Sequence, residues 1–133
     1  LRKLGVWVSA PCGNNHYADG ISWPACQPNC FAIGATIPLK HQVHLDRFST
    51  TALLVAATAT SSSNGHAAGC SMILREAIEK AGYGWKRDGA TLPDAMMAIF
   101  QKTGHVINDS QSGLTFRELD LLAAVDHVFA PGR

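Results

Sequence analysis

A serine stands directly before a long helical pattern in this chain, and that arrangement limits both the fold and the chemistry. Apolar residues follow Ser71 at the helical period, at positions Ile73, Leu74, Ala77, Ile78 and Ala81. The pattern predicts a helix that begins just after Ser71 and ends at Gly82 and Gly84. Ser71 would then lie in the first turn, among backbone N–H groups that have no partner within the helix. Its hydroxyl could either cap this helix or attack a carbonyl whose developing negative charge those N–H groups stabilise.

The same segment carries charges on the side opposite its apolar residues. Arg75 and Glu79 lie four residues apart, as do Glu76 and Lys80, so each pair can meet on one helix face. Enclosing these charges would be costly unless every one of them were paired. We therefore predict an amphipathic helix with one face on a sheet and its four charges in water.

Three short apolar runs predict buried strands, at residues 5–10, 30–36 and 51–57. The first run ends at a turn signal that contains Gly13 and Asn14. Ligands of α/β sheets gather at the carboxyl ends of strands, so Asn14 is a candidate site residue, although it could also be an ordinary turn residue. Residues 61–65 are interpreted as a loop.

The segment 37–47 is also interpreted as a solvated loop. It contains His41, His44 and Asp46, a combination that could suggest a metal site or a proton relay. Their spacing suits neither one face of a helix nor one face of a strand, which favours the loop interpretation.

Two helices are predicted in the C-terminal part. The first lies between Thr91 and Gly104, with capping residues at both ends and a core face of Met96, Met97, Ile99 and Phe100. The second, residues 121–129, is capped by Asp120 and stopped by Pro131 and Gly132. Together with the strands, they predict an α/β fold: a partial parallel sheet with flanking helices.

Composition limits the class of protein. The 133 residues, 47% apolar and 16% charged, suit one globular domain over residues 1–133. A net charge of +1 gives no reason to expect nucleic acid or a membrane as a partner. The four cysteines, Cys12, Cys26, Cys30 and Cys70, are too few for a disulfide scaffold. They could be unpaired, or Cys26 and Cys30 could pair with each other or with a cysteine outside this fragment. No second ligand pair for zinc accompanies them.

Several segments, in order, resemble the second half of the catalytic domain of subtilases, the subtilisin-like serine peptidases of family S8. Residues 6–15 resemble the strand that ends in Gly-Asn, and residues 21–36 resemble the Pro-Ala loop and the Val-Gly-Ala strand. Phe48-Ser49, and then residues 53–62, resemble the stretch that runs from Phe-Ser to Thr-Ser-Ser. Residues 69–72 fall where the family has Gly-Thr-Ser-Met, and residues 92–125 resemble the helix-turn-helix that closes the domain.

This resemblance implies a serine endopeptidase fragment that cleaves polypeptide substrates through an acyl-enzyme. Ser71 would be the nucleophile, and the Asn14 amide and the Ser71 N–H would form the oxyanion hole, both facing one cleft. The triad Asp and His would lie in a missing N-terminal half of the domain, so we expect this fragment to be inactive alone. The resemblance also implies secretion to the extracellular space, and it implies no cofactor other than a possible calcium ion. After Met72, the family's small residues, proline and histidine are absent.

A second hypothesis belongs to a different class: a non-catalytic subtilase remnant that acts as a binding or structural domain. The two hypotheses differ in the sequence expected upstream of Leu1. Only an enzyme needs the aspartate and histidine motifs of the triad there.

Overall fold

The computed structural model describes residues 1–47 and 51–130. Within them, a six-stranded sheet is combined with three α-helices. The strands are β1 (Ser9–Pro11), β2 (Phe31–Ile37), β3 (Gln42–His44), β4 (Leu53–Ala56), β5 (His105–Asn108) and β6 (Thr115–Glu118). The helices are α1 (Thr60–Ala81), α2 (Leu92–Thr103) and α3 (Leu121–Phe129). The predicted α/β class, with a largely parallel sheet, is confirmed.

The sheet has the strand order β1-β2-β4-β6-β5, and these neighbours are parallel except for β5, which runs antiparallel to β6. The short strand β3 also pairs antiparallel with β2. The predicted runs 30–36 and 51–57 thus form the central strands β2 and β4, which are almost fully buried because both faces of the sheet are covered. The first run forms a strand only from Ser9 onward, and β1 lies at the edge of the described sheet.

Each face of the sheet has its own core. On one face the three helices pack against β2 and β4, in a cluster that includes Phe31, Ile33, Leu53, Leu74, Met96, Phe100 and Val128. On the other face a smaller cluster is formed by Ala10, Cys12, Ala32, Leu54, Ile107 and Phe116. The predicted core face of α2 is confirmed, since Met96, Met97, Ile99 and Phe100 are all buried.

The predicted helix caps are present. The Thr91 side chain accepts a hydrogen bond from the Asp94 N–H, and the Asp120 side chain accepts one from the Ala123 N–H. At the end of α1, Gly82 adopts a left-handed conformation with φ of 60°, which favours glycine because it has no Cβ. These three ends therefore follow from local chemistry alone.

Helix α1 begins at Thr60, about three turns earlier than the predicted beginning just after Ser71. Residues 61–65, interpreted as a loop, form its first turns. The outward direction of its charges is confirmed, because Arg75, Glu76, Glu79 and Lys80 are all exposed. Ile73 is half exposed and does not join the buried face. Although α1 is long, no helix in the described ranges is long and apolar enough to cross a membrane.

Two further segments differ from the sequence interpretation. Residues 42–44, taken as part of a solvated loop, form β3, and Asp46 just after it is almost completely buried. Between α2 and α3, strands β5 and β6 form an antiparallel hairpin that the sequence analysis did not predict. The motif Phe48-Ser49 and the helix stop at Pro131-Gly132 lie outside the described residues.

The salt bridge between Arg2 and Asp94 should make stability fall in acid. Burial raises the pKa of Asp94, but hydrogen bonds from Thr91 and Arg2 outweigh it, and the net pKa lies below the ordinary value of 3.8. A lowered carboxyl pKa stabilises the fold above that value, and the contribution is lost as pH falls through the folded-state pKa. We expect wild-type protein to lose more stability between pH 6 and pH 3 than Asp94→Asn, measured by urea denaturation.

Arg2→Gln is the second variant for this experiment, because it leaves the Asp94 carboxyl and removes its charged partner. It should show an acid sensitivity between those of wild type and Asp94→Asn. Equal acid sensitivity in all three proteins would mean that this ion pair does not form in solution.

Candidate functional site

The end of β1 meets the beginning of α1 through the side chain of Asn14. Its Oδ1 accepts hydrogen bonds from the backbone N–H of Thr60 and from the Thr60 hydroxyl, both at 3.0 Å. The Gly13 N–H donates to the same hydroxyl oxygen at 3.2 Å. The residue at the N-cap position, Ala59, has no side chain that could cap the helix. Asn14 therefore caps α1 from the loop after β1, 46 positions away in sequence.

These contacts also fix which way the Asn14 amide points. A backbone N–H can only donate, so the atom that faces Thr60 must be the oxygen of the amide. The Nδ2 group is then directed away from Thr60, and it hydrogen bonds to no other described residue. Asn14 is exposed, so its two N–H donors are open to a ligand at the N-terminus of α1.

Ser61 lies at this point, immediately after Thr60 in the first turn of α1. The first N–H to bond within the helix is that of Ser63, which donates to the Ala59 carbonyl at 3.1 Å. The N–H groups of Ser61 and Ser62 precede it and have no intrahelical acceptor. Ser61 is exposed, so a hydroxyl, two free backbone donors and the Asn14 amide are presented to solvent together.

The loop that carries Asn14 is held by Asp46. This buried carboxylate accepts a hydrogen bond from the Tyr17 N–H at 3.0 Å, and the Asn15 amide lies 3.3 Å from its other oxygen. Gly13 packs so closely against it that an added Cβ would come within 2.3 Å of the Asp46 Oδ2. Gly13 also has φ of 116°, which other residues rarely adopt. Any larger side chain at residue 13 would therefore displace the loop.

Ser71 does not lie where the sequence analysis put it. It is in the middle of α1, roughly 16 Å along the helix axis from Thr60 at 1.5 Å per residue. Ser71 is only 5% exposed, and its hydroxyl donates to the Ala68 carbonyl at 2.6 Å. The expectation that Ser71 stands in a first helical turn and shares a cleft with Asn14 is wrong.

If Ser61 instead of Ser71 is aligned with the serine of the family's Gly-Thr-Ser-Met motif, the sequence that follows resembles the subtilase pattern more closely. The family's small residues and histidine, absent after Met72, are present after Ser61 as Gly65, His66 and Ala67. The signal that could have located the site is the run of hydroxyl residues at 60–63, since serine and threonine are favoured at helix N-termini.

No histidine within residues 1–47 and 51–130 hydrogen bonds to the Ser61 hydroxyl. His66 is exposed on the same helix, and His41 and His127 are engaged elsewhere, with Glu118 and Tyr83. The described part of the chain thus provides an exposed hydroxyl and backbone N–H groups without intrahelical acceptors, but no base in contact with that hydroxyl.

All four cysteines are free. Cys12, next to the Asn14 loop, is completely buried, and desolvation, with the charges of Asp46 and Cys30, raises its pKa to about 12. Such a thiol stays protonated and is a poor nucleophile at neutral pH. The Cys12 side chain therefore fills the core beneath the site and takes no part in its chemistry.

Comparison with solved structures finds a similar fold in known protease domains. The self-cleaved protease domain of PatA has a TM-score of 0.71 at 18% identity over 96% of this chain. The prenylagaramide maturation protease PagA gives 0.70, again at 18% identity and 96% coverage. The chain spans about half of each neighbour, 51% and 52%. Its fold is thus the subtilisin-like fold of these domains. Comparison with protein-family models and with curated protein sequences gives no match.

Proposed function

We propose that the chain is the nucleophile-bearing part of a subtilisin-like serine endopeptidase, with Ser61 as the nucleophile. The observation that carries the proposal is the convergence of Asn14 on the first turn of α1, beside an exposed serine. This is the arrangement that the sequence analysis expected around Ser71, moved to the residue that occupies the helix N-terminus. The fold that the chain shares with PatA and PagA supports it.

The proposed reaction begins with attack by Ser61 and depends on stabilising the negative charge that then develops on the substrate. Attack of the Ser61 Oγ on a substrate carbonyl moves an electron pair onto the carbonyl oxygen, which becomes an oxyanion. The Ser61 N–H and the Asn14 Nδ2 are the donors available to that oxygen, and the helix N-terminus adds a favourable dipole. Collapse of the tetrahedral intermediate releases the amine and leaves an acyl-enzyme on Ser61, which water then hydrolyses.

The proton from Ser61 needs a base, and the described residues bring none into contact with it. We propose that this base comes from the half of the domain to which the remaining length of PatA and PagA corresponds. If no such half joins the chain, the second candidate applies: a non-catalytic domain that retains an anion-binding helix end.

Replacing Ser61 by cysteine tests the anion-stabilising pocket without needing a base, because a thiol ionises by itself. Helix N-termini lower cysteine pKa values from about 8.5 to about 7.5 or below. We expect the Ser61→Cys thiol to show such a lowered pKa, and Asn14→Leu to move it back toward about 8.5. The pH dependence of alkylation, read for each cysteine by peptide mass spectrometry, measures this pKa.

Ser62→Cys is the matched control, since it lies in the same turn but is not the residue next to Thr60. Its thiol pKa should respond to the helix end and should change little on Asn14→Leu. Circular dichroism checks that Asn14→Leu, which also removes the cap, keeps the helix. A thiol pKa near the ordinary value of about 8.5 in Ser61→Cys would contradict the proposed oxyanion site. The same would follow if Asn14→Leu changed the thiol pKa equally in Ser61→Cys and Ser62→Cys.

A further inference from the structure

Two histidines and a glutamate meet where the β2–β3 turn contacts β5 and β6. His105 and Glu118 are direct partners across the antiparallel strand pair, so their side chains share one face of the sheet. His41, from the turn, places its Nδ1 at 2.9 Å from the Glu118 Oε1. The rings of His41 and His105 lie against each other at an interplanar angle of 43°, with centroids 4.5 Å apart.

Glu118 is a buried carboxyl group whose hydrogen-bonding capacity is only partly used. The residue is 7% exposed, and its Oε2 has no hydrogen-bond partner among the described residues. Among residues 1–47 and 51–130, its other oxygen is bound only by His41. Leaving a buried carboxylate oxygen unpaired is costly, so a cation beside this cluster would be stabilised by the uncompensated charge.

The same contact prepares His41 to bind a metal. An ionised carboxylate only accepts hydrogen bonds, so the Nδ1 of His41 must carry the proton that it donates to Glu118. In a neutral imidazole the Nε2 then holds a free lone pair. Histidine ligands of metals commonly donate their other ring N–H to a carboxylate in this way, which fixes the tautomer and the ring orientation.

We propose that His41 and His105 bind a divalent transition-metal ion such as Zn²⁺, with Glu118 as the carboxylate that positions His41. Two imidazoles on one tetrahedral zinc, with bonds of about 2.0 Å, have ring centroids about 5 Å apart. The observed centroid distance of 4.5 Å is close to this value, and both side chains are exposed. No group of three His, Cys, Asp or Glu side chains within the described ranges forms a ready metal-ligand set, and water completes the coordination.

Such an ion would join segments that are far apart in sequence. Residues 41 and 118 are separated by 77 positions, so the metal would tie the β2–β3 turn to the hairpin at the other side of β4. Binding to the folded state only raises the unfolding temperature as the metal concentration increases. This site is separate from Ser61 and does not depend on the proposed peptidase function.

Calorimetric titration of the metal-free chain with ZnCl₂ tests the proposal, with thermal unfolding as the second readout. We expect saturable one-to-one binding and a rise in unfolding temperature. His105→Gln, at an exposed position, should weaken binding at least about tenfold, and Glu118→Gln by about ten- to a hundredfold, as for other positioning carboxylates. His66→Gln, an exposed histidine on α1, is the control and should bind as wild type does.

Titration with Co²⁺ distinguishes histidine from cysteine ligands, since Cys26 is an exposed thiol. A spectrum without a thiolate charge-transfer band supports the histidine site. A thiolate band that Cys26→Ser removes would overturn the proposal, as would the absence of saturable zinc binding. If His105→Gln and His66→Gln weakened zinc binding equally, zinc would be binding surface histidines without preference. That result would also overturn the proposal.

Discussion

The purified 133-residue chain is expected to hydrolyse casein no faster than its Ser61→Ala variant. A serine hydroxyl is a weak nucleophile at neutral pH unless a base removes its proton. Within the described ranges no histidine contacts Ser61, and losing the base of a Ser-His-Asp triad lowers kcat by a factor on the order of a million. Release of labelled peptides over many hours, with an active serine peptidase as positive control, measures the residual rate.

The outcomes of this assay separate the two serines. Steady hydrolysis that Ser61→Ala abolishes would mean that a base within this chain reaches Ser61. Hydrolysis that depends on Ser71 instead would return the nucleophile to the position first inferred from the sequence. Because Ser71 is buried and bonded to the Ala68 carbonyl, we expect Ser71→Ala to leave the rate unchanged.

Phe100→Ala should cost about 3–5 kcal/mol of the free energy of unfolding. Phe100 is fully buried in the core beneath the helices, and the ring of Trp7 meets it edge-on with centroids 6.2 Å apart. Truncation removes apolar burial and leaves a cavity that the surrounding sheet and helices can only partly fill. Urea denaturation at neutral pH measures the change.

Phe129→Ala is the matched control, since the same side chain is 56% exposed at the end of α3. We expect a loss below about 1 kcal/mol there. If Phe100→Ala leaves too little folded protein to measure, Phe100→Leu should still cost more than Phe129→Ala. Similar losses in the two alanine variants would contradict the packing of α2 against the sheet.

The parts of the fold that could be predicted are those with large apolar side chains or local capping chemistry. Strands β2 and β4 are continuous apolar runs, as expected of parallel strands buried on both faces. Helix α2 combines a Thr91 cap with a buried face of methionine, isoleucine and phenylalanine. In both cases the burial pattern is visible in the residue types themselves.

The beginning of α1 could not be predicted in this way, because its buried face is made of small residues. Thr60, Ser63 and Ala67 are the buried positions of its first half, and none of them gives a strong apolar signal. Gly65 and Gly69 lower the helix propensity further. The helical period therefore became visible only after Ser71, where Leu74, Ala77 and Ile78 are buried.

The candidate site was predicted in part. Asn14 was selected because it follows a strand, and its side chain lies at the N-terminus of α1, away from Ser71. The helix was predicted, but its beginning was placed after Ser71 instead of at Thr60. The cap from Asn14 is a long-range contact, so no local pattern around Thr60 could reveal it. The cluster of His41 with Glu118 was missed for the same reason.

The hydrogen bond from the Thr60 N–H to Asn14 also couples local unfolding of β1 to fraying of the first turn of α1. Strand β1 has one strand partner in the described sheet, so it should be among the first parts of the sheet to open. When β1 detaches, the Thr60 N–H loses its acceptor and the first turn of α1 loses its cap. Hydrogen exchange at the amide of Thr60 should therefore follow the opening of β1, not the unfolding of α1. The edge of the sheet and the start of the helix would then form one cooperative unit, which a stronger β1 would stabilise as a whole.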